Sequence, residues 1–271
     1  MTPQDVDFLH GVALNRAGLN LGADLAYVAE MRLSAVARRE GADAASDLVA
    51  RARTTGDARL IDALVEALAP QESAFFRDPA VFARLCGEVI PAIARARPER
   101  TVRVWSAGCG GGQEVYSVAL GAAERPEALR GVDLQLFGSD LSARQLQKAR
   151  SGVYSHFEVQ RGLPIRMLLR GFARTDDMWR LEPDIRQRVR WARINLMDDL
   201  SRLGGFDVIL CRDVLPHMDP GAARGVASRL AALLPPDGRL VLGARETLPL
   251  AGWVGSGGVF VREAAEVVQA A

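Results

Sequence analysis

Val102 to Ser117 read V-R-V-W-S-A-G-C-G-G-G-Q-E-V-Y-S. Val102, Val104 and Trp105 make a short apolar run of strand type, and the glycines Gly108, Gly110, Gly111 and Gly112 follow. Gln113 to Glu124 then predict a helix with Val115, Val118, Ala119 and Ala122 on its apolar side. Strand, glycine turn and helix are the first unit of a nucleotide-binding α/β fold. Glycine permits the tight turn and lets the backbone approach a ligand where a Cβ would clash. A glycine turn of purely structural origin looks the same, so the flanking sequence has to separate the two.

Downstream, Leu134 to Phe137 predict a second strand that runs into Gly138-Ser139-Asp140, and Ser142 to Gly152 predict a helix. Phe206 to Cys211 (F-D-V-I-L-C) is nearly continuous in apolar residues, as in a strand buried on both faces of a parallel sheet. Arg239–Gly243 and Gly257–Arg262 are further strands. Strands alternating with helices predict a doubly wound, mostly parallel α/β sheet of Rossmann type. The stretch from Asp140 to Asp207 is longer than one crossover needs. It holds short alternating runs at Phe172–Arg174, Met178–Leu181 and Val189–Ile194, so about residues 160–190 are expected to form a small inserted β-subdomain.

Upstream, residues 1–69 read as all-helical. Asp5–Ala17 carries Val6, Leu9, Val12, Ala13 and Leu14 at helical spacing. Leu25–Arg39 points Leu25, Val28, Leu33 and Val36 inward and Arg32, Arg38 and Arg39 outward, and Ala44–Arg53 and Asp57–Leu68 complete the module before Pro70. Gln71 to Pro79 (Q-E-S-A-F-F-R-D-P) break the pattern, packed by two phenylalanines and displaying Arg77. The division expected is an all-α N-terminal domain (1–78), a linker helix (79–100) and an α/β domain (101–271).

The chain has 271 residues, enough for a small domain plus a standard one with its own core. Its three cysteines, Cys86, Cys109 and Cys211, are far apart, so no metal site is expected and a reduced, cytoplasmic setting is. No apolar run follows a basic N-terminal segment and no stretch of about 20 apolar residues occurs, so neither a leader nor membrane insertion is expected. A net charge of +1 argues against a nucleic-acid partner bound by bulk electrostatics.

Certain residues carry chemistry. Asp140, at the end of the second strand, suits the ribose hydroxyls of a nucleoside; it also stands where a helix N-cap would. Asn195 offers the donor and acceptor that read an adenine edge, or serves a turn. Cys211-Arg212-Asp213-Val214 lies at the carboxyl end of a central strand, where open α/β sheets bind ligands. His217, four residues after Asp213, is either a surface histidine or part of that site.

Together these motifs resemble, in order, those of the CheR-type chemoreceptor glutamate O-methyltransferases. The matching stretches are Q-E-S-A-F-F-R-D (71–78), W-S-A-G-C-G-G-G-Q-E-V-Y-S (105–117), G-S-D (138–140), I-N-L (194–196), C-R-D-V-L-P-H-M (211–218) and L-L-P-P-D-G-R-L-V-L-G (233–243). The resemblance implies a Rossmann-like S-adenosylmethionine methyltransferase domain with a β-subdomain insertion behind a helical domain. It implies that Ser73, Arg77, Ala107, Gly108, Glu114, Asp140, Asn195, Leu196, Arg212 and Asp213 bind S-adenosylmethionine or its product S-adenosylhomocysteine, and that Arg77 and His217 are catalytic. Arg77 would orient a carboxylate, which a guanidinium can grip bidentately; pairing with Asp78 or Glu72 is the structural alternative.

The chain departs from the family pattern at four places. Gln113 stands for Glu, Val115 for Pro, Asp213 for Asn and His217 for Tyr. Asp213 adds a charge that could strengthen cofactor binding or repel an acidic substrate, and an imidazole at 217 can act as a base near neutral pH. The partner implied is the helical bundle of a chemoreceptor, or another signalling protein, met by the N-terminal domain of a monomer. The inserted segment reads A-R-T-D-D-M-W without the family's glycine-rich loop, so binding to a tethering peptide is not expected. Other readings are a methyltransferase for a different acceptor and a signalling protein that binds the cofactor with little turnover. A dinucleotide-dependent oxidoreductase is a third, less well served by G-C-G-G-G than by G-x-G-x-x-G.

Overall fold

A computed structural model of the chain describes residues 1–263 apart from Ala23 and Pro98; residues 264–271, the end of the expected α/β domain, lie outside the described residues. The chain starts with four helices, α1 (Pro3–Ala17), α2 (Leu25–Arg39), α3 (Ala45–Thr55) and α4 (Ala58–Leu68), around Leu9, Leu33, Leu48, Leu64 and Leu68. The inward face of α1 differs from the periodicity reading. Leu14 is 44% exposed, whereas Asp5 is buried. Asp5 closes a capping box with Thr2 and receives a hydrogen bond from Arg53 Nε at 3.2 Å, so its carboxylate is satisfied inside the bundle.

The link to the second unit is α5 (Pro79–Arg84), a π-helical turn (Leu85–Val89) and α6 (Ile90–Ala96). The Ile90 N–H reaches back five residues to Leu85 O just before Pro91, which has no N–H to give. The charged turn that follows is clamped: Arg97 Nη2 donates to Asp207 Oδ1 at 2.7 Å and Nη1 to Asp237 Oδ2 at 2.9 Å.

The α/β unit runs β1 (Thr101–Ala107), α7 (Gln113–Ala123), β2 (Asp133–Asp140), α8 (Ala143–Ser151), β3 (Val153–Ser155), α9 (His156–Gln160), α10 (Ile165–Gly171), β4 (Phe172–Thr175), β5 (Met178–Leu181), α11 (Pro183–Arg186), β6 (Val189–Arg193), β7 (Val208–Leu210), α12 (Pro220–Ala232), β8 (Arg239–Val241), β9 (Trp253–Ser256) and β10 (Val259–Arg262). Among the described residues the main sheet has seven strands in the order β6-β2-β1-β7-β8-β10-β9. The first five are parallel, with Val104 level with Leu136 on one side and Val208 on the other. β10 is antiparallel to both its neighbours. Alternation along β1 explains the apolar run. Val102 and Val104 pack on one face with Phe75, Val115 and Tyr116, while Trp105 and Ala107 pack on the other with Ile209, Val226 and Leu230.

The inserted sheet is antiparallel, in the order β3-β5-β4. It starts earlier than the expected 160–190, at Val153, where the three-residue β3 is added by its antiparallel pairing with β5. Val189–Arg193 belongs instead to the main sheet, beside β2. Phe75 fastens the insertion, edge-on to Tyr154 at 5.0 Å and to Phe172 at 5.7 Å. Phe76 packs on Phe82 at 5.5 Å, and its N–H donates to Ser117 Oγ at 2.8 Å.

The order of strands reverses between β1 and β7, and the helical domain sits over that point. Leu19 forms an antiparallel bridge with Met218; the Asn20 N–H donates to His217 O at 2.9 Å and the Asp219 N–H to Gly18 O at 2.8 Å. A crevice at such a switch point is where this class of sheet binds ligands.

Candidate active site

That crevice is a cleft of about 560 Å³ with two walls. One is made by the carboxyl ends of β1, β2 and β7, and contributes Gly108, Gly110, Asp140, Leu141, Arg212 and Asp213. The other comes from the helical domain: Leu19, Asn20, Leu21, Leu25, Val28 and Arg32. The motif segment closes one end with Gln71, Glu72 and Arg77.

The floor is held by a buried charge network. Arg212 exposes only 2% of its side chain. Its Nη2 donates to Asp78 Oδ2 at 2.6 Å, its Nη1 to Glu114 Oε2 at 3.3 Å and its Nε to Leu242 O at 3.4 Å, over the Phe82 ring. Glu114 also accepts from Ser106 Oγ at 2.8 Å. Burial pushes the Glu114 carboxyl above the usual carboxylate range, against the pull of Arg212 and Ser106. Glu114 is therefore a support under the cleft and does not line it.

Asp140 does line it. Its Oδ2 accepts from the Gly110 N–H at 2.8 Å and its Oδ1 from the Ser142 N–H at 2.8 Å. The capping reading is corrected here: the N-cap of α8 is Ser142, whose Oγ accepts from the Gln145 N–H. Each carboxylate oxygen keeps acceptor capacity for a further donor. Burial raises the Asp140 carboxyl, and the N–H groups of Ser142 and Gly110 oppose that rise.

The expected site residues divide into three groups. Arg77, Gly108, Asp140, Leu196, Arg212, Asp213 and His217 line the one cleft. Ala107, Glu114 and Ser73 stand behind it: Ala107 is fully buried in the core under the sheet, Glu114 is held on Ser106 and Arg212, and Ser73 packs against the loop at Gly110. The Asn195 side chain, expected to read an adenine edge, does not line the cleft. Its Nδ2 donates to Arg16 O at 2.5 Å and its Oδ1 accepts from the Met197 N–H at 3.0 Å, so the amide ties the sheet to the end of α1.

Of the ion-pair alternatives for Arg77, the Asp78 one is corrected and the Glu72 one is present at 4.0 Å. Asp78 belongs to Arg212, and Arg77 Nη1 donates to Asp213 Oδ2 at 2.6 Å. Arg32, expected to face outward, donates to Leu68 O at 2.6 Å and borders the cleft. Two contributors gave no signal in the sequence. Asn20 lies in a loop of the helical domain, and Glu246 accepts at Oε1 from the N–H groups of Asp213 (2.7 Å) and Gly243 (2.9 Å). Leu141 and Ile194 were findable, since each adjoins a motif residue.

The cleft fits a nucleoside cofactor with a charged amino-acid tail. At Gly108 φ is +76°, and a Cβ would lie 2.6 Å from Val214 Cγ2; Gly110, at φ +52°, presents its N–H to Asp140. Asp140 suits ribose hydroxyls, Leu141, Ile194 and Leu196 give an apolar seat for a base, and the acids Asp140 and Asp213 suit a cationic group. Among the described residues, no group of three metal-binding side chains occurs.

Residues 71–255 match the family model described as CheR methyltransferase, SAM binding domain. The chain is 33% identical to "Chemotaxis protein methyltransferase 1" of Pseudomonas aeruginosa, over 92% of each chain. It is 32% identical to "Chemotaxis protein methyltransferase Cher2" of Pseudomonas putida, over 85% of this chain and 86% of that one. "Chemotaxis protein methyltransferase 1" of Vibrio cholerae is 33% identical over 86% of each. A glycine loop at the switch point, an acid on its amides and a matching family model over most of the chain remove the oxidoreductase reading; this protein belongs to the CheR methyltransferase family.

Proposed function

We propose that the protein methylates glutamate side-chain carboxylates of chemoreceptors, giving glutamate methyl esters. The observation that carries this reading is the placement of Arg77: a guanidinium 30% exposed at the end of the cofactor cleft, beside Glu72 and Asp213. When bound, S-adenosylmethionine supplies an electrophilic methyl group on a sulfonium. A glutamate acceptor is already ionised at neutral pH, so no general base is required. The residues of the chain have to align and partly desolvate it. Arg77 orients the carboxylate, Asp140 holds the ribose, and Leu19, Leu21 and Val28 exclude water from the opposite side. His217, exposed at the cleft edge, borders the acceptor.

The receptor bundle meets the helical domain in this reading. On α2, Tyr27 and Met31 are 70% and 64% exposed, on the helix that also presents Arg38 and Arg39. Recognition is independent of a tethering peptide, consistent with the two-residue Asp176-Asp177 turn between β4 and β5. The protein acts as a monomer in the cytoplasm. No helix among the described residues is long and apolar enough to cross a membrane.

The test is methyl transfer from labelled S-adenosylmethionine to a receptor cytoplasmic fragment, with base-labile release of methanol as the signature of an ester. Arg77→Ala is expected to reduce turnover more than S-adenosylhomocysteine affinity. A base-stable product would move the acceptor to another group, and tight cofactor binding without turnover on any acceptor would leave a signalling role.

A further inference from the structure

In this structure Arg77 is already engaged by a carboxylate. Its Nη1 donates to Asp213 Oδ2 at 2.6 Å, across 136 residues of chain. Both partners are presented by backbone that the fold constrains. Asp213 has φ +56°, in the left-handed region that Asp and Asn tolerate, and its N–H is held by Glu246 Oε1 at 2.7 Å. The residue before it, Arg212, is buried on Asp78 and Glu114. Arg77 lies between Phe76 and Asp78, at φ +47° and +56°, and the Phe76 N–H is fixed on Ser117 Oγ. The Asp213 carboxylate is therefore aimed at the guanidinium by the main chain on both sides.

The other cations around the cleft already have acceptors of their own. Arg212 is committed to two acids of its own, Arg32 on the helical wall donates to Leu68 O, and Arg161 pairs with Glu72 at 3.8 Å; the acids beside Arg77 itself are Glu72 and Asp213. The contact with Asp213 is a single hydrogen bond, whereas a guanidinium can grip a carboxylate through two parallel ones. The Asp213 side chain is 42% exposed, so it can return to water when displaced.

We propose that Asp213 is a specificity-determining residue: it occupies Arg77 as an internal substitute for the acceptor carboxylate, and an acceptor glutamate has to displace it. This rests on the glutamate reading above. An acidic side chain that merely diffuses into the cleft meets a neutralised guanidinium and a net negative surround. One delivered by a docked partner, with both oxygens presented to Arg77, replaces the weaker single contact. The pair thus makes methylation depend on docking elsewhere on the molecule.

Asp213→Asn tests this, because Asn keeps the left-handed backbone and the N–H to Glu246 while removing the charge. Two fragments of a chemoreceptor cytoplasmic bundle, one with glutamate and one with glutamine at the methylation positions, are titrated into the S-adenosylhomocysteine complex of each protein. The preference for the glutamate fragment should rise by about two- to fivefold in the variant, the range for a partly exposed ion pair. The KM for that fragment in methyl transfer should fall by a similar factor. Adding Arg77→Ala should abolish the gain. Equal preferences in the two proteins, or a loss of S-adenosylhomocysteine affinity with no change in preference, would overturn the inference and return Asp213 to the cofactor. If the wild type binds the glutamate fragment yet never methylates it, the acceptor reading fails, while the binding ratios still decide what Asp213 does.

Discussion

The two walls of the cleft are built on different principles. On the sheet side the polar groups are largely paired with one another: Asp140 holds the amides of Gly110 and Ser142, and Arg212 bridges Asp78 and Glu114. On the helical side the wall is largely aliphatic, from Leu19, Leu21, Leu25 and Val28, and is fixed to the sheet by backbone hydrogen bonds at Gly18, Asn20 and His217. A pre-arranged polar wall recognises charge and hydroxyl groups without reorganising. An apolar wall has no such specificity but removes water, which strengthens each interaction opposite it. The helical domain is thus part of the enclosure of the cleft.

The sharpest way to break this comparison is to remove the hub of the polar wall. Arg212→Ala leaves Glu114 and Asp78 facing each other without their cation, and should cost about 3–5 kcal/mol of folding stability, nearer the lower figure because Asp78 is partly hydrated. Denaturant melting would report it; a loss below about 1 kcal/mol would mean the network is incidental.

Next in size is Asp140→Ala, expected to weaken S-adenosylhomocysteine binding by about 1–3 kcal/mol in a calorimetric titration. The pH dependence follows from the raised carboxyl. Asp140 takes up its proton at a higher pH than an ordinary aspartate at 3.8, so affinity should start to fall earlier on acidification, and Asp140→Asn should flatten that decline. The effect on folding has the opposite sign. A carboxyl raised by burial contributes most below its unfolded value and loses that contribution as pH rises through its folded value. Acidification should therefore weaken cofactor binding without a matching loss of stability from this residue.

The smallest expected effect separates the walls from the joint between them. Asn195→Ala should lower stability by about 0.5–1.5 kcal/mol, the net worth of its hydrogen bonds, and leave S-adenosylhomocysteine affinity within about twofold. A large loss of affinity with unchanged melting would restore Asn195 to the cofactor site.

Much of this was legible in the sequence because it is local. A strand, four glycines and a helix follow one another within Val102–Ser117, and β-strand alternation, proline breaks and helical spacing act over a few residues. Arg77, Gly108, Asp140, Leu196, Arg212, Asp213 and His217 all reached the cleft, since each sits at or just beyond the end of an element that the local pattern had placed. Short elements escaped. β3 and β9, of three and four residues, were not expected, although β4 and β5 of similar length were; β3 is recruited by pairing with β5 and β9 by pairing with β10.

What the chain alone could not decide is which polar group takes which partner. Nothing local gave the Asn195 amide its partner, Arg16 O, 179 residues away. Arg77 had acids beside it at Glu72 and Asp78, yet its hydrogen-bonded partner is Asp213, with Glu72 4.0 Å away and Asp78 drawn off by the buried Arg212. Burial makes an unpaired charge expensive, so the buried arginine claims its carboxylates first and the exposed one takes what remains. Sequence order determined the glycine loop and the residues around it; only the packed structure, by setting which charges lose their water, determined how they are paired.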